Sequence, residues 1–198
     1  MSRTLTTCRP VLHRALSALV LAAVSGAASA HDAAGQHGFL SGFLHPFTGV
    51  DHLAAMLAVG LWSTTRQQPV WQLPLAFLLT LLTGAILALA GLALPATEPV
   101  IAASLLVLGL LLSTRVHLPN SVALALIGGF ALFHGAAHGQ ELSGGPALLG
   151  MLLGTATVQL SGLALGRKAR TNAGWLPRAT GGLIALSGVG FAWAQLVA

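Results

Sequence analysis

Charge is what this sequence has least of. Only 7% of its 198 residues are Asp, Glu, Lys or Arg, against about 25% in a typical soluble domain. So few ionisable groups cannot cover a water-facing surface. That excludes a soluble globular domain, and the high apolar content excludes a disordered chain. Tyr is absent, and Lys and Arg together number nine. They form no basic patch, so a nucleic-acid-binding protein is excluded despite a pI near 11.5. Cys8 is the only cysteine. Beyond it there is no thiol for a disulfide, a thiolate metal site or a Cys nucleophile. What the chain does have is apolar: 55% of its residues are hydrophobic. The expected fold class is all-α, a polytopic membrane helical bundle. Four acids and eight histidines then need a reason to be there.

Residues 1–30 read as a secretory signal peptide. Arg3, Arg9 and Arg14 make a positive start, Val11 to Val24 is mostly apolar, and Ala28-Ser29-Ala30 is a small-x-small cleavage site. The mature chain, 31–198, would begin at His31. Cleavage removes three Arg and no acid, so the formal charge falls from +5 to about +2. Much of the high pI is therefore an export signal.

Six apolar stretches follow, near Phe39–Trp62, Trp71–Leu92, Val100–Val116, Ser121–His138, Pro146–Leu165 and Leu176–Val197. Each approaches the roughly 20 residues that cross about 30 Å of hydrocarbon. Arg66, Arg115, Arg167, Lys168, Arg170 and Arg178 all fall near loops on one side, which the positive-inside rule makes cytoplasmic. The expectation is six transmembrane helices in the bacterial inner membrane, with both mature termini periplasmic. Gly150-x-x-x-Gly154 and Gly162-x-x-x-Gly166 put small residues on one face of the fifth stretch. Gly128-Gly129, Gly181-Gly182, Gly188 and Gly190 suggest close helix approach elsewhere.

Ionisable groups inside a membrane are costly and mark function by default. Here they cluster. The first cluster is His45-Pro46-Phe47-Thr48-Gly49-Val50-Asp51-His52. His45 and His52 share a face if the helix is continuous, which Pro46 and Gly49 make doubtful. An interrupted helix frees backbone carbonyls where they can line a site. The second cluster is Phe133-His134-Gly135-Ala136-Ala137-His138-Gly139-Gln140-Glu141. His134, His138 and Glu141 follow i, i+4, i+7 and project from one helical face. A lone buried His usually just hydrogen-bonds within a bundle. Six groups in two compact sets, at overlapping depth on the outer side, point instead to one metal site. Imidazole and carboxylate without thiolate suit nickel, cobalt, zinc or copper(II).

At these residues the chain resembles the HupE/UreJ family of nickel permeases, whose two elements stand here as His45 to His52 and Phe133 to Glu141. The stretch from Leu53 to Trp62 is also similar to the family. The resemblance implies a secondary permease importing Ni²⁺, with an indirect link to hydrogenase or urease assembly. It implies no permanently bound cofactor, the ion being cargo. The metal residues would be His45, Asp51, His52, His134, His138 and Glu141.

Residues of lower rank surround this set. His31 would carry a free amine after cleavage, and amine plus imidazole could chelate. Glu98, in the expected outer loop between the second and third stretches, could attract cations or simply be solvated. Met56 could add a soft ligand or merely pack. Phe133 could wall the site. Gln159, with Thr155 and Thr157, forms a polar patch in the fifth stretch. His117 reads as surface. The competing reading is an intramembrane zinc hydrolase, with three His and a carboxylate activating water. No substrate-binding apparatus supports it, and no nucleotide-binding loop is present.

Overall fold

A computed structural model of the chain describes residues 38–114, 116–142, 144–172 and 175–197. The expected signal peptide and His31 lie outside the described residues, as does Arg115. Among the described residues the regular structure is entirely helical. The helices are α1 (Phe39–Thr48), α2 (Val50–Thr65), α3 (Gln72–Leu89), α4 (Thr97–Thr114), α5 (Asn120–Glu141), α6 (Gly145–Asn172) and α7 (Leu176–Val197). Five of them, α3 to α7, are long and apolar enough to cross a membrane.

The first apolar stretch is not one helix. It breaks at Gly49, whose backbone is extended at φ −88 and ψ 116. Two local causes converge. Pro46 has no N–H to return to the preceding turn of α1. The Thr48 hydroxyl then donates to the His45 carbonyl at 2.7 Å and closes that turn. The chain restarts at Val50, and the Leu53 N–H bonds the Gly49 carbonyl at 2.9 Å. The break therefore falls between His45 and the Asp51-His52 pair.

Three other boundaries differ from the sequence reading. α4 starts at Thr97, so Glu98 lies in a helical first turn and not in a loop. α5 runs on through Glu141, which keeps the whole second cluster helical. α6 continues past Leu165 and carries Arg167 and Lys168 on its last turns. Long basic side chains are good helix formers, and water at a membrane edge does not stop a helix.

Helices pair through glycine. α1 and α2 lie along α6, α3 lies along α5, and α4 lies along α7. A Cβ built at Gly150 or Gly154 would strike the α1 backbone at Phe39 or Phe43, and one at Gly162 would strike α2 at Leu57. Gly84 and Gly135 lock α3 to α5 in the same way, against Leu132 and Leu81. Gly109, Gly181 and Gly188 do so between α4 and α7. Lipid supplies no hydrophobic drive between helices, so such backbone approach is the main source of attraction. Not every glycine takes part. Gly129, Gly182 and Gly190 have open space where a Cβ would stand.

The outside of the bundle is apolar. Leu79, Ile86, Leu160, Leu183 and Leu186 are all more than half exposed. In water such a surface would aggregate; in hydrocarbon it is simply solvated. The core gathers Met56, Val59, Trp62, Phe77, Leu81, Leu105, Leu108, Ile127 and Met151. At one end, Arg66 donates to Asn120 at 3.2 Å and Asn120 donates to Gln72 at 3.0 Å. This clamp ties the end of α2 to the starts of α3 and α5. The two histidine clusters lie at the opposite end.

Candidate metal site

Each half of the site comes from one structural device. α5 is unbroken, so His134, His138 and Glu141 lie on one stripe as their spacing requires. The first cluster is divided by the break. His45 rides on the end of α1, while Asp51 and His52 open α2. A carboxylate in the first turn of a helix faces its positive dipole end and free N–H groups. Asp51 uses this: its Oδ1 accepts from the His52 backbone N–H at 2.8 Å and sits 3.0 Å from His52 Nδ1. Gly49 makes room for this fold-back, because a Cβ there would lie 2.9 Å from Asp51 Oδ1 and 3.3 Å from His52 Nδ1.

The two clusters meet. His45 Nε2 lies 2.8 Å from Glu141 Oε2. The His138 ring stands between two partners from the first cluster, with centroids 4.8 Å from His45 and 4.4 Å from His52. His134 packs edge-on to His52 at 4.9 Å. All six expected site residues are thus brought together. His45, His138 and Glu141 present ligand atoms within 4.8 Å of one another, close enough to share one ion.

Exposure falls across the set. The Glu141 side chain is 34% exposed and His45 is 12%, while His138 is 1% and His134 is 0%. Glu141 is therefore the mouth and His134 the floor. Several ring nitrogens are buried with no hydrogen-bond partner among the described residues: His45 Nδ1, His52 Nε2, His134 Nδ1 and both nitrogens of His138. Buried polar atoms are normally satisfied. Four imidazoles with unsatisfied nitrogens in one cluster match what a divalent cation requires. The carboxylates complement this. An ionised carboxylate only accepts, so Asp51 fixes a proton on His52 Nδ1 and Glu141 one on His45 Nε2. The opposite nitrogen of each ring has no hydrogen-bond partner among the described residues, the position that binds metal in carboxylate–histidine–metal arrangements.

The accessory residues fare unevenly. Met56 is fully buried within the apolar core. Glu98 is exposed on α4. The polar patch on α6 divides: Thr155 and Gln159 are buried, with Thr155 Oγ1 and both amide atoms of Gln159 unpartnered among the described residues. Thr157 instead faces outward and bonds its own helix at Leu153. Phe133 is half-buried; the aromatic ring against His134 is that of Phe77 on α3, with centroids 5.9 Å apart. His117 is exposed, as expected. Sequence reasoning missed Phe77 and Ser104. Ser104 on α4 lies 3.0 Å from His134 Nε2. A serine amid Ile101, Ala102 and Leu105 was the available signal.

A family model described as HupE / UreJ protein matches residues 19–191. The chain belongs to the HupE/UreJ family. Protein HupE of Rhizobium leguminosarum bv. viciae is 39% identical over 176 residues, covering 85% of this chain and 92% of that protein. No solved structure matches the chain. HupE/UreJ proteins are membrane transporters and not enzymes, which sets aside the zinc hydrolase alternative. Family and fold agree on a multi-pass helical membrane protein, consistent with a metal permease.

Proposed function

We propose that this HupE/UreJ protein is a secondary permease that imports Ni²⁺ across the bacterial inner membrane, through the site shared by α1, α2 and α5. One observation carries the reading: four imidazoles with unsatisfied buried nitrogens and two carboxylates converge within helices built for lipid. In this reading α1 and α2 together form one broken span, giving six. Residues 1–30 are a cleaved signal peptide. The histidine end faces the periplasm, as do both mature termini. Support comes from the basic residues. Arg66, Arg167, Lys168 and Arg178 all lie at the helix ends away from the site, as a cytoplasmic face requires.

The ion sheds waters stepwise. Glu141, the most exposed member, meets the hydrated cation first, and His45 and His138 exchange for further waters. His52 and His134 take over deeper in the bundle. Release toward the cytoplasm requires the helix pairs to shift around the site, as in alternating access. An inside-negative potential of 100 mV favours entry of two charges by about 4.6 kcal/mol. The imported nickel would serve hydrogenase or urease assembly. Cobalt, copper(II) and zinc suit the same donors and are the competing ions.

The test is uptake of radiolabelled nickel in cells lacking other nickel importers. His52→Ala and His138→Ala each abolish uptake while the protein remains in the membrane. Full uptake by both variants sinks the proposed site. Competition by cobalt, zinc and copper in the same cells ranks the metals.

A further inference from the structure

His134 is the most enclosed member of the site, and the group that touches its ring nitrogen lies outside both motifs. Ser104 is fully buried on α4. Its hydroxyl donates to the Ile101 carbonyl at 2.7 Å, and its oxygen stands 3.0 Å from His134 Nε2. A hydroxyl has one hydrogen. With that hydrogen on the Ile101 carbonyl, the oxygen accepts toward His134. This arrangement places the proton on His134 Nε2. A neutral imidazole has one such proton, and Nδ1 is left as a bare lone pair. Nδ1 is buried and has no hydrogen-bond partner among the described residues.

We propose that Ser104 is a positioning residue of the metal site: it locks His134 in the Nε2–H tautomer and so commits Nδ1 as the metal-binding nitrogen. The proposal rests on the metal-transport reading above and deepens it. Ser104 from α4, Phe77 from α3 and the His52 ring from α2 stand against the ring. Phe77 is apolar and leaves the ring's hydrogen bonding to Ser104. The role parallels that of Asp51 toward His52 and Glu141 toward His45, with one difference. A hydroxyl fixes the tautomer without adding charge. The site keeps two carboxylates, which balance the two charges of the ion, and does not over-hold it at the floor.

The experiment uses the full chain in lipid nanodiscs with ¹⁵N-labelled histidine, His134 being assigned by its loss in His134→Gln. Expected in the metal-free protein is a protonated Nε2 and a bare Nδ1 on His134. Zn²⁺, a diamagnetic probe, should shift the Nδ1 resonance. Ser104→Ala should mix the two tautomers and weaken Ni²⁺ binding about 10- to 100-fold, the usual cost of removing a group that orients a metal-bound histidine. Ser104→Thr, which keeps the hydroxyl, should restore both. A proton on Nδ1 in the wild type, a zinc shift at Nε2, or wild-type affinity in Ser104→Ala overturns the proposal and leaves the transport reading standing. A wild-type protein that binds neither metal overturns both. The wild-type spectrum decides the tautomer even if Ser104→Ala fails to reach the membrane.

Discussion

His45 Nε2 and Glu141 Oε2 stand 2.8 Å apart, and this contact joins the end of α1 to the last turn of α5 across the site's mouth. Glu141→Gln keeps the shape and removes the charge. Nickel uptake measured over a range of concentrations should then show a KM raised at least about 10-fold, the lower range for a lost partner of a metal-bound His. Gln140→Ala, an exposed neighbour, should leave KM unchanged.

His138 is buried between His45 and His52 with both nitrogens unsatisfied among the described residues. Burial of polar atoms without partners costs about 1–3 kcal/mol, which offsets what the packing of the ring contributes. His138→Ala should therefore abolish uptake while the metal-free protein melts no lower than wild type. A large drop in melting temperature would mean that the ring is structural.

Gly49 gives Asp51 and His52 the space above the start of α2. Gly49→Ala should displace both side chains and weaken Ni²⁺ binding about 10-fold. Membrane levels should be unchanged, since the extended backbone at 49 is open to alanine. Equilibrium binding to purified protein checks this.

Two glycines on α5 should respond oppositely to one substitution. At Gly135 a Cβ collides with the α3 backbone at Leu81; at Gly129 it meets open space. Gly135→Val should cost about 3 kcal/mol or more of stability, the upper range for overpacking, and deplete the protein from the membrane. Gly129→Val should be tolerated. Membrane immunoblots and melting in detergent measure both.

Much of this was readable along the chain. The unbroken 3.6 period placed His134, His138 and Glu141 correctly, because a regular helix fixes which residues share a face. Pro46 and Gly49 flagged the break, since one lacks a donor and the other tolerates an extended backbone. The glycine pairs of α6 were legible as a packing face. Other glycines looked equivalent in sequence but divide by whether a neighbour faces them, which local pattern does not encode. Ser104 escaped for the same reason. Its role depends on α4 crossing α5 beside His134, and a serine within an apolar run usually just bonds its own helix, as Ser63 does to Val59. Thr157 showed the converse: near Gln159 in sequence, it points away from it.

The pairing of α1 and α2 with α6, α3 with α5 and α4 with α7 has a consequence for the chain as a whole. Each of these seams joins one member from before the α4–α5 loop to one from after it. Exchanging the first group for the last returns the same three seams. The molecule is thus two interleaved hands, and each grips the other more than it grips itself. A chain severed once in that loop leaves each piece with glycine-lined grooves open to lipid. Made together, the pieces carry three matching seams through which to reassemble, and the metal site closes only when they do.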